Sequence, residues 1–155
     1  MAEAALKIEE SREPAFVRRF ELDDLSRHGP WLLKRFSAIF PDLGERAIAG
    51  YLSRLVYDNE HLFLSQDHAV ALAQMTYTPG IRMARIVQER FVFVEDKDDK
   101  TQLEAAADFY THIKQWAKRQ DAERILVCEN TDVPKSLIEA HLGRLFDTKI
   151  SYARI

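Results

Sequence analysis

The feature that most constrains the fold of this 155-residue chain is an uninterrupted run of four apolar side chains, Phe91–Val94. A strand with one solvated face alternates apolar and polar residues, whereas a continuous apolar run is typical of a strand covered on both faces. A second run of this type, Arg124–Glu129 (RILVCE), follows a segment with apolar residues at helical spacing. Two buried strands joined through a helix predict a parallel crossover in a sheet with helices on both faces.

The remaining strands are predicted from short segments rich in aromatic and branched residues. The run Phe91–Val94 ends a longer predicted strand, Ile81–Val94, which follows the turn signal Pro79-Gly80. Further strands are predicted at Ala15–Leu22, His61–Ser65, Ala69–Tyr77 and Leu145–Ile155. The closely spaced strands before Val94 indicate an antiparallel group, because antiparallel neighbours need only short turns.

Helices are predicted where apolar residues recur at helical spacing. The first follows Asp23 and Asp24, which offer an N-cap, and we expect Pro30 to interrupt and restart it because proline lacks an amide donor. A capping box runs from Thr101 to Glu104 (TQLE), so another helix should begin there. The remaining helical spans are Glu45–Asp58, Thr101 to about Gln120, and Pro134–Leu142.

The resulting element order is β-α-α-β-β-β-α-β-α-β. This order predicts an α+β fold with a central mixed sheet of about six to seven strands and helices on both faces. The chain has the length of one domain, which we place at residues 15–155. Residues 1–14 (MAEAALKIEESREP) form a predicted polar arm with four glutamates against one lysine and one arginine.

The charge balance argues against nucleic acid and membranes as partners. Lysine and arginine total 22 against 25 acidic residues, a formal charge of −3, so the chain lacks the positive field that such partners need. Its apolar stretches are also too short to cross a bilayer. The single Cys128 and five scattered histidines predict no metal site. One cysteine suits a reducing compartment, so we expect a cytoplasmic location.

The order of elements resembles that of the GNAT superfamily of N-acetyltransferases over about residues 15–155. Two local features add to this likeness. The apolar strand Arg90–Val94 leads through a loop into the helix from Thr101, and the segment 142–146 (LGRLF) is similar to the Leu-Gly-Phe segment that precedes the last strand of that family. The resemblance implies acetyl-CoA as the cofactor and acetyl transfer to an amine as the activity.

In that family the pyrophosphate of acetyl-CoA binds a glycine-rich loop between the fourth strand and the next helix, where backbone N–H groups face the phosphates. The resemblance implies that the cofactor-binding residues here would be Phe93, Val94, Glu95, Lys100 and Thr101. The segment 95–101 (EDKDDKT) contains no glycine, and its four acids and two bases sum to −2. We expect this loop to repel a pyrophosphate, because like charges oppose a close approach.

The resemblance also implies three catalytic residue types: a carboxylate base on the fourth strand, a polar residue on the fifth and a late tyrosine as the acid. The candidates of these types are Glu89 or Glu95, Asn130 and Tyr152. Each has a structural interpretation that the sequence favours. Glu89 would be a solvated strand residue, Asn130 a turn residue, and Tyr152 a packed aromatic with a hydrated hydroxyl.

Two functions remain open from the sequence. In the first, the chain keeps a GNAT-like fold, binds no cofactor and acts by binding a protein partner or a second copy of itself. A virus-encoded or assembly-associated component, in the host cytoplasm or the virion, would fit this description. In the second, the chain is an active N-acetyltransferase that uses acetyl-CoA and an amine, with Glu89, Asn130 and Tyr152 as its catalytic residues. The glycine-free acidic loop favours the first function.

Overall fold

A computed structural model describes residues 16–78, 84–128, 131–147 and 151–154, with the backbone alone at 78, 146–147 and 151–154. The helices are α1 (Leu22–Ile39), α2 (Glu45–Tyr57), α3 (Lys100–Ala106), α4 (Asp108–Arg119) and α5 (Lys135–Leu142). The strands are β1 (Arg18–Arg19), β2 (His61–Ser65), β3 (Ala69–Thr78), β4 (Ala84–Val94), β5 (Arg124–Val127), β6 (Phe146–Asp147) and β7 (Ser151–Arg154). The predicted arm at 1–14 lies outside the described residues.

The strands form one mixed sheet in the order β1-β2-β3-β4-β5-β7-β6. Strands β1 to β4 are antiparallel neighbours in chain order, whereas β4 and β5 are parallel, as the two apolar runs predicted. Strand β7 lies antiparallel to both β5 and β6. The α+β class and the mixed sheet are therefore confirmed. Because β1 and β6 have two residues each, five longer strands form the body of the sheet.

Two hydrophobic cores cover the two faces of the sheet, as predicted. We call the face under α1 and α2 the aromatic core, because its strands contribute the phenylalanines Phe63, Phe91 and Phe93. We call the opposite face the α4 core, where the strands contribute mainly alanine and valine and α4 supplies Phe109, Tyr110 and Trp116. Each fully buried side chain of this size contributes about 1.5–3 kcal/mol through burial.

A β-bulge in β4 decides which side chains reach each core. Leu72 pairs with Phe91 and Ala73 with Glu89, which leaves Arg90 as an extra residue without a partner on β3. In a regular strand, residues two positions apart share a face, so Glu89 and Phe91 would point the same way. The extra residue instead places Phe91 in the aromatic core and directs Glu89 towards α4.

The prediction that Pro30 interrupts the first helix is wrong, since α1 is continuous through it. The helix also begins before the predicted cap: Glu21 is the N-cap residue, and its N–H donates to the Asp24 carboxylate at 2.8 Å. A proline inside a helix removes one backbone hydrogen bond and costs about 3 kcal/mol. The helix persists because Leu25 on one side of Pro30 and Leu32 on the other pack into the same aromatic core.

The predicted capping box at Thr101 is wrong as well. Asp99 is the N-cap of α3, and its carboxylate accepts hydrogen bonds from the N–H groups of Thr101 and Gln102 at 2.9 and 3.2 Å. An aspartate is favoured here because its charge interacts well with a helix N-terminus. The single predicted helix is divided at Ala107, whose φ of −59° and ψ of −24° stay close to helical. Such a local distortion leaves apolar periodicity unchanged, so the sequence does not reveal it.

Two predicted strands are also altered. Of the first, Ala15–Leu22, only Arg18–Arg19 forms a strand within the described residues, and Leu22 is the first residue of α1. The last, Leu145–Ile155, contains two antiparallel strands, since an alternating pattern does not show where a chain reverses. Before them, Gly143 ends α5 with a φ of +82°, a conformation that favours glycine. Residues 81–83 of the predicted fourth strand lie outside the described residues.

Candidate functional site

Glu89 on β4 is a carboxylate with 0% exposure. The Tyr110 hydroxyl on α4 donates to its Oε1 at 2.8 Å, and the Cys128 N–H donates to its Oε2 at 2.8 Å. The Thr131 hydroxyl oxygen lies 2.6 Å from the Tyr110 oxygen. The interpretation of Glu89 as a solvated strand residue is therefore wrong, because the bulge turns its side chain into the protein. We call these four residues the Glu89 cluster.

Burial shifts the proton equilibria of the Glu89 cluster. Loss of hydration raises the pKa of Glu89 to about 7, although hydrogen bonds from the Cys128 N–H and from Tyr110 act in the opposite direction. Burial also raises the pKa of the Tyr110 hydroxyl well above its usual value, and the nearby Glu89 charge adds to this effect. Tyr110 therefore keeps its proton and donates it. A carboxyl that titrates near neutral pH can take up or release a proton, as a general base must.

The Glu89 cluster lies where β4 and β5 separate. Among the described residues, the two strands pair at residues 86–88 of β4, and an isolated parallel bridge then joins Val92 to Thr131, beyond the end of β5. Between these points the Cys128 N–H turns to the Glu89 carboxylate instead of to a carbonyl of β4. The Glu89 carboxylate thus replaces the hydrogen bond that a paired β4 would provide, and it satisfies the Cys128 N–H, which would otherwise lack an acceptor.

The carboxyl end of β4 is covered by other residues of the chain. The Asp132 N–H donates to the Val92 carbonyl at 2.9 Å, and the Val94 N–H donates to the Asp132 carboxylate at 2.8 Å. Arg35 on α1 forms an ion pair with Asp132 and donates to the Val94 carbonyl at 2.9 Å. An extended ligand binds a strand through free backbone groups. The groups that Val92 and Val94 would offer are already hydrogen-bonded.

The loop that the resemblance assigns to the cofactor uses its amides internally. The Glu95 N–H donates to the His68 carbonyl at 2.8 Å, and the Asp96 N–H donates to the Gln102 side chain at 3.0 Å. The N–H groups of Asp98 and Asp99 donate to the carboxylate and the carbonyl of Asp96 at 3.0 and 3.2 Å. At the start of α3, the Asp99 carboxylate accepts the next donors, from Thr101 and Gln102. A side-chain carboxylate therefore occupies the position at which a bound phosphate would accept hydrogen bonds.

The structure describes only part of the predicted catalytic group. Glu89 lies in the buried cluster, whereas Glu95 is exposed, with its carboxylate 2.9 Å from Nδ1 of His68. Asn130 lies outside the described residues. Tyr152 is on β7 with its backbone opposite Leu126, and its side chain is not described. A catalytic group of Glu89, Asn130 and Tyr152 stays a prediction.

The five predicted cofactor residues do not share one surface. The side chains of Phe93 and Val94 are buried in the aromatic core and the α4 core respectively, on opposite faces of the sheet. Glu95, Lys100 and Thr101 are exposed, and the Lys100 ammonium lies 3.9 Å from the carboxylate of Glu104. Contact of these residues with a cofactor stays a prediction.

Sequence reasoning missed the residues that surround Glu89 and the end of β4. Tyr110 falls on the apolar stripe of the helix predicted from Thr101 to about Gln120, and a tyrosine on a buried stripe needs a polar partner for its hydroxyl. The hydroxyl is therefore the one feature of the sequence that indicates a buried polar partner on the facing strands. No local pattern predicts the pairing of Arg35 with Asp132, because the two residues are 97 positions apart and meet only in the folded chain.

Comparison with known proteins identifies the fold. No protein-family model and no curated protein matches the sequence. Among solved structures, an acetyltransferase from Vibrio fischeri shares 14% identity at a TM-score of 0.55, covering 77% of this chain and 98% of its own. A provisionally assigned acetyltransferase from Agrobacterium tumefaciens shares 10% identity at a TM-score of 0.59, covering 86% and 94%. A tetramutant of the BH1408 protein of Bacillus halodurans shares 11% identity at a TM-score of 0.54, covering 81% of this chain and 86% of its own.

At these identities the likeness concerns the fold, and the chain has the GNAT acetyltransferase fold. Within the described part of the chain, no three metal-ligating side chains come together. None of the helices described there combines the length and the apolar character needed to cross a bilayer.

Proposed function

We propose that this chain is a GNAT-fold protein that does not bind acetyl-CoA and that acts by binding another protein. The observation that carries the proposal is the Asp99 carboxylate, which holds the N–H groups of Thr101 and Gln102 at the start of α3. A pyrophosphate would have to displace this carboxylate while bringing its own negative charge beside it.

The charges of the loop support the proposal. Its two lysines each lie near an acid, with Lys97 at 3.8 Å from Asp132 and Lys100 at 3.9 Å from Glu104. The four acids of segment 95–101 outnumber these lysines. Two like charges about 4 Å apart near a protein surface repel by about 4 kcal/mol. A diphosphate on this loop would meet net repulsion and few free amide donors.

The end of β4 supports the proposal independently. Asp132 and Arg35 satisfy the backbone groups of Val92 and Val94 there. A ligand that approached along this strand would have to break an ion pair in which both side chains are largely buried, at 15% and 9% exposure. Breaking a buried pair costs about 3–5 kcal/mol, so the chain resists a ligand at this position.

The edge of the sheet formed by β1 is the surface that we propose for protein binding. Strand β1 lies at this edge, and the large apolar residues Phe16 and Leu22 beside it are 78% and 44% exposed. Sheet edges offer unpaired backbone groups to other chains. The polar arm predicted at residues 1–14 precedes this edge directly, so a partner could contact both.

Titration with acetyl-CoA tests the proposed loss of the cofactor. A ligand at a hundred times its Kd stabilises a protein by about 2.7 kcal/mol, which a thermal-unfolding assay detects readily. We expect no shift in Tm with acetyl-CoA, while an active acetyltransferase in the same buffer shows one. A clear shift that the variant Thr101→Trp abolishes would overturn the proposal.

The second candidate function is an active N-acetyltransferase, and the pKa of Glu89 near 7 is the observation that favours it. General-base catalysis is most efficient when the pKa of the base lies near the operating pH, and a carboxyl with this pKa meets that condition at neutral pH. If the chain is active, acetyl-CoA hydrolysis or transfer should be measurable and should fall by about a hundredfold or more in Glu89→Gln. Absence of turnover in the wild-type chain, in an assay with mixed amines, would leave the binding function.

Sedimentation velocity tests the proposed edge contact through self-association. We expect deletion of residues 1–14, or the pair Phe16→Ser and Leu22→Ser, to lower the association of the chain with itself or with a captured partner. Tyr57→Ser is the matched control, because this residue is 72% exposed and belongs to α2, not to β1 or the residues that flank it. Unchanged association in both edge variants would exclude the edge as the contact. A viral or assembly role stays a prediction.

A further inference from the structure

A cavity of about 330 Å³ opens between α1, α2 and β4, on the face of the sheet opposite to the Glu89 cluster. Its walls include the rings of Phe36, Tyr51, Phe91 and Phe93. Phe40 and Leu43, which are 46% and 48% exposed, lie at its opening. Cavities of roughly 300–1,000 Å³ with apolar walls and a few polar groups are typical of sites for small molecules.

Arg90 is the only charged residue among the described residues that line this cavity. Its side chain forms no hydrogen bond or ion pair with any residue that the structure describes. The β-bulge accounts for its position, because Arg90 is the extra residue of β4 and joins Phe91 in the lining of the cavity. Bulges often re-aim a side chain beside a binding site.

We propose that this cavity binds a small carboxylic acid with an aromatic or branched apolar body. The body would pack among the rings of Phe36, Phe91 and Phe93, and the carboxylate would accept hydrogen bonds from the Arg90 guanidinium. Arginine suits this task because its planar group matches the two oxygens of a carboxylate. Aromatic walls supply the apolar contact area.

The charge of the lining decides the class of ligand. An amine would place a cation beside Arg90 with no acid in the described lining to neutralise it. A neutral apolar molecule would leave the guanidinium of Arg90 without a partner at the edge of the site. A carboxylate therefore complements the cavity best. This inference does not rest on the loss of acetyl-CoA, so the two can fail separately.

Three matched probes test the proposal: 4-phenylbutyrate, its neutral amide 4-phenylbutyramide, and the cation 4-phenylbutylamine. Calorimetry and two-dimensional NMR would give the Kd and the location of each. We expect the acid to bind about tenfold or more tightly than the amide, because a charge-assisted hydrogen bond exceeds a neutral one. The amine should bind more weakly than the amide, and shifts should map to α1, α2 and β4.

Three variants assign the effect to the cavity. Arg90→Gln should reduce the affinity for the acid to that for the amide and leave the amide unchanged. Ala47→Trp should block both, because Ala47 lines the cavity. Arg54→Gln should change neither, since Arg54 is exposed on α2 and does not line the cavity. Thermal unfolding confirms that each variant is folded.

Some results would overturn the proposal. Equal affinity of the wild-type chain for acid and amide would do so, as would a preference for the acid that survives Arg90→Gln. Binding of the acid to a folded Ala47→Trp variant would place the site elsewhere. Absence of binding by any probe at millimolar concentration would show that the cavity does not take this class of ligand.

Discussion

Two buried carboxylates on opposite faces of the sheet meet their burial in different ways. Asp24, in the first turn of α1, is 1% exposed and accepts hydrogen bonds from the Arg18 guanidinium, one of them at 2.6 Å, and from the Glu21 N–H at 2.8 Å. Glu89, at 0% exposure, has only uncharged donors among the residues that the structure describes, the Tyr110 hydroxyl and the Cys128 N–H. The comparison separates the effect of burial from the effect of a nearby cation.

The two pKa values shift in opposite directions. Burial alone would raise the pKa of Asp24, but the hydrogen bonds from Arg18 and from the Glu21 N–H, with the Arg18 charge, outweigh it and lower the pKa. Burial of Glu89 is opposed by hydrogen bonds from uncharged donors, which do not outweigh it, and its pKa rises to about 7. A cation that shares the burial thus keeps a carboxylate ionised, whereas neutral donors leave it close to protonation at neutral pH.

The largest expected effect on the free energy of unfolding comes from Glu89→Gln, which replaces the titrating carboxyl by an uncharged amide. The unfolded chain ionises Glu89 near pH 4.5 and the folded chain near pH 7, so folding stability falls as the pH rises between these values. The loss amounts to about 3 kcal/mol. Urea unfolding of both chains across this range should show a free-energy difference that grows in favour of the Gln variant. A difference that is flat with pH would mean that Glu89 has an ordinary pKa.

Asp24→Asn should have the next largest effect and the opposite pH dependence. The lowered pKa of Asp24 stabilises the fold above the ordinary aspartate range, and this contribution is lost as the pH falls through the folded pKa. We expect a loss of about 2 kcal/mol at neutral pH, because the partly exposed Arg18 loses its charged acceptor. Chemical unfolding at neutral and acidic pH measures it.

Asp23→Asn is the matched control for that measurement, because Asp23 is exposed in the same helical turn. It should change the unfolding free energy by about 0.5 kcal/mol or less. Equal losses in the two variants would show that helix-terminus charge, and not the ion pair with Arg18, stabilises this corner of the fold.

Tyr110→Phe should give the smallest effect and sharpen the comparison at Glu89. Removing one hydroxyl donor costs about 1 kcal/mol when the carboxyl is protonated and more when it is ionised. The variant should therefore lose more stability above pH 7 than below it, since the folded pKa of Glu89 is about 7. Tyr51→Phe is the control, because no described residue hydrogen-bonds its hydroxyl and its loss should be negligible. A pH-independent loss of stability in Tyr110→Phe would show that the Tyr110 hydroxyl does not stabilise the ionised form of Glu89.

Much of the fold was predictable because it depends on local patterns. The runs at Phe91–Val94 and Arg124–Glu129 predicted the two parallel strands, and helical spacing located the helix bodies. The boundaries were less accurate: Asp99 displaced Thr101 as the cap, and Pro30 did not end α1. These errors have one cause, since caps and interruptions depend on contacts with distant residues that a local pattern does not contain.

The candidate site was predictable in part. The resemblance pointed to Glu89 and to the loop at 95–101, and the charge of that loop was visible in the sequence. The burial of Glu89 was not, because alternation along β4 gives no sign of the extra residue at Arg90. The loop amides could not be assigned either, since their acceptors include His68 and Gln102.

The sequence by itself determined the class of the fold, the order of its elements and the absence of glycine from the loop, because these follow from composition and periodicity. Only the tertiary structure decided that Glu89 is buried with no cation among its described neighbours, that Asp24 is buried with one, and that Arg90 lines an apolar cavity. The reason is physical: pKa values and cavities depend on which distant residues pack together, and at Glu89 and Arg90 the bulge in β4 sets that packing.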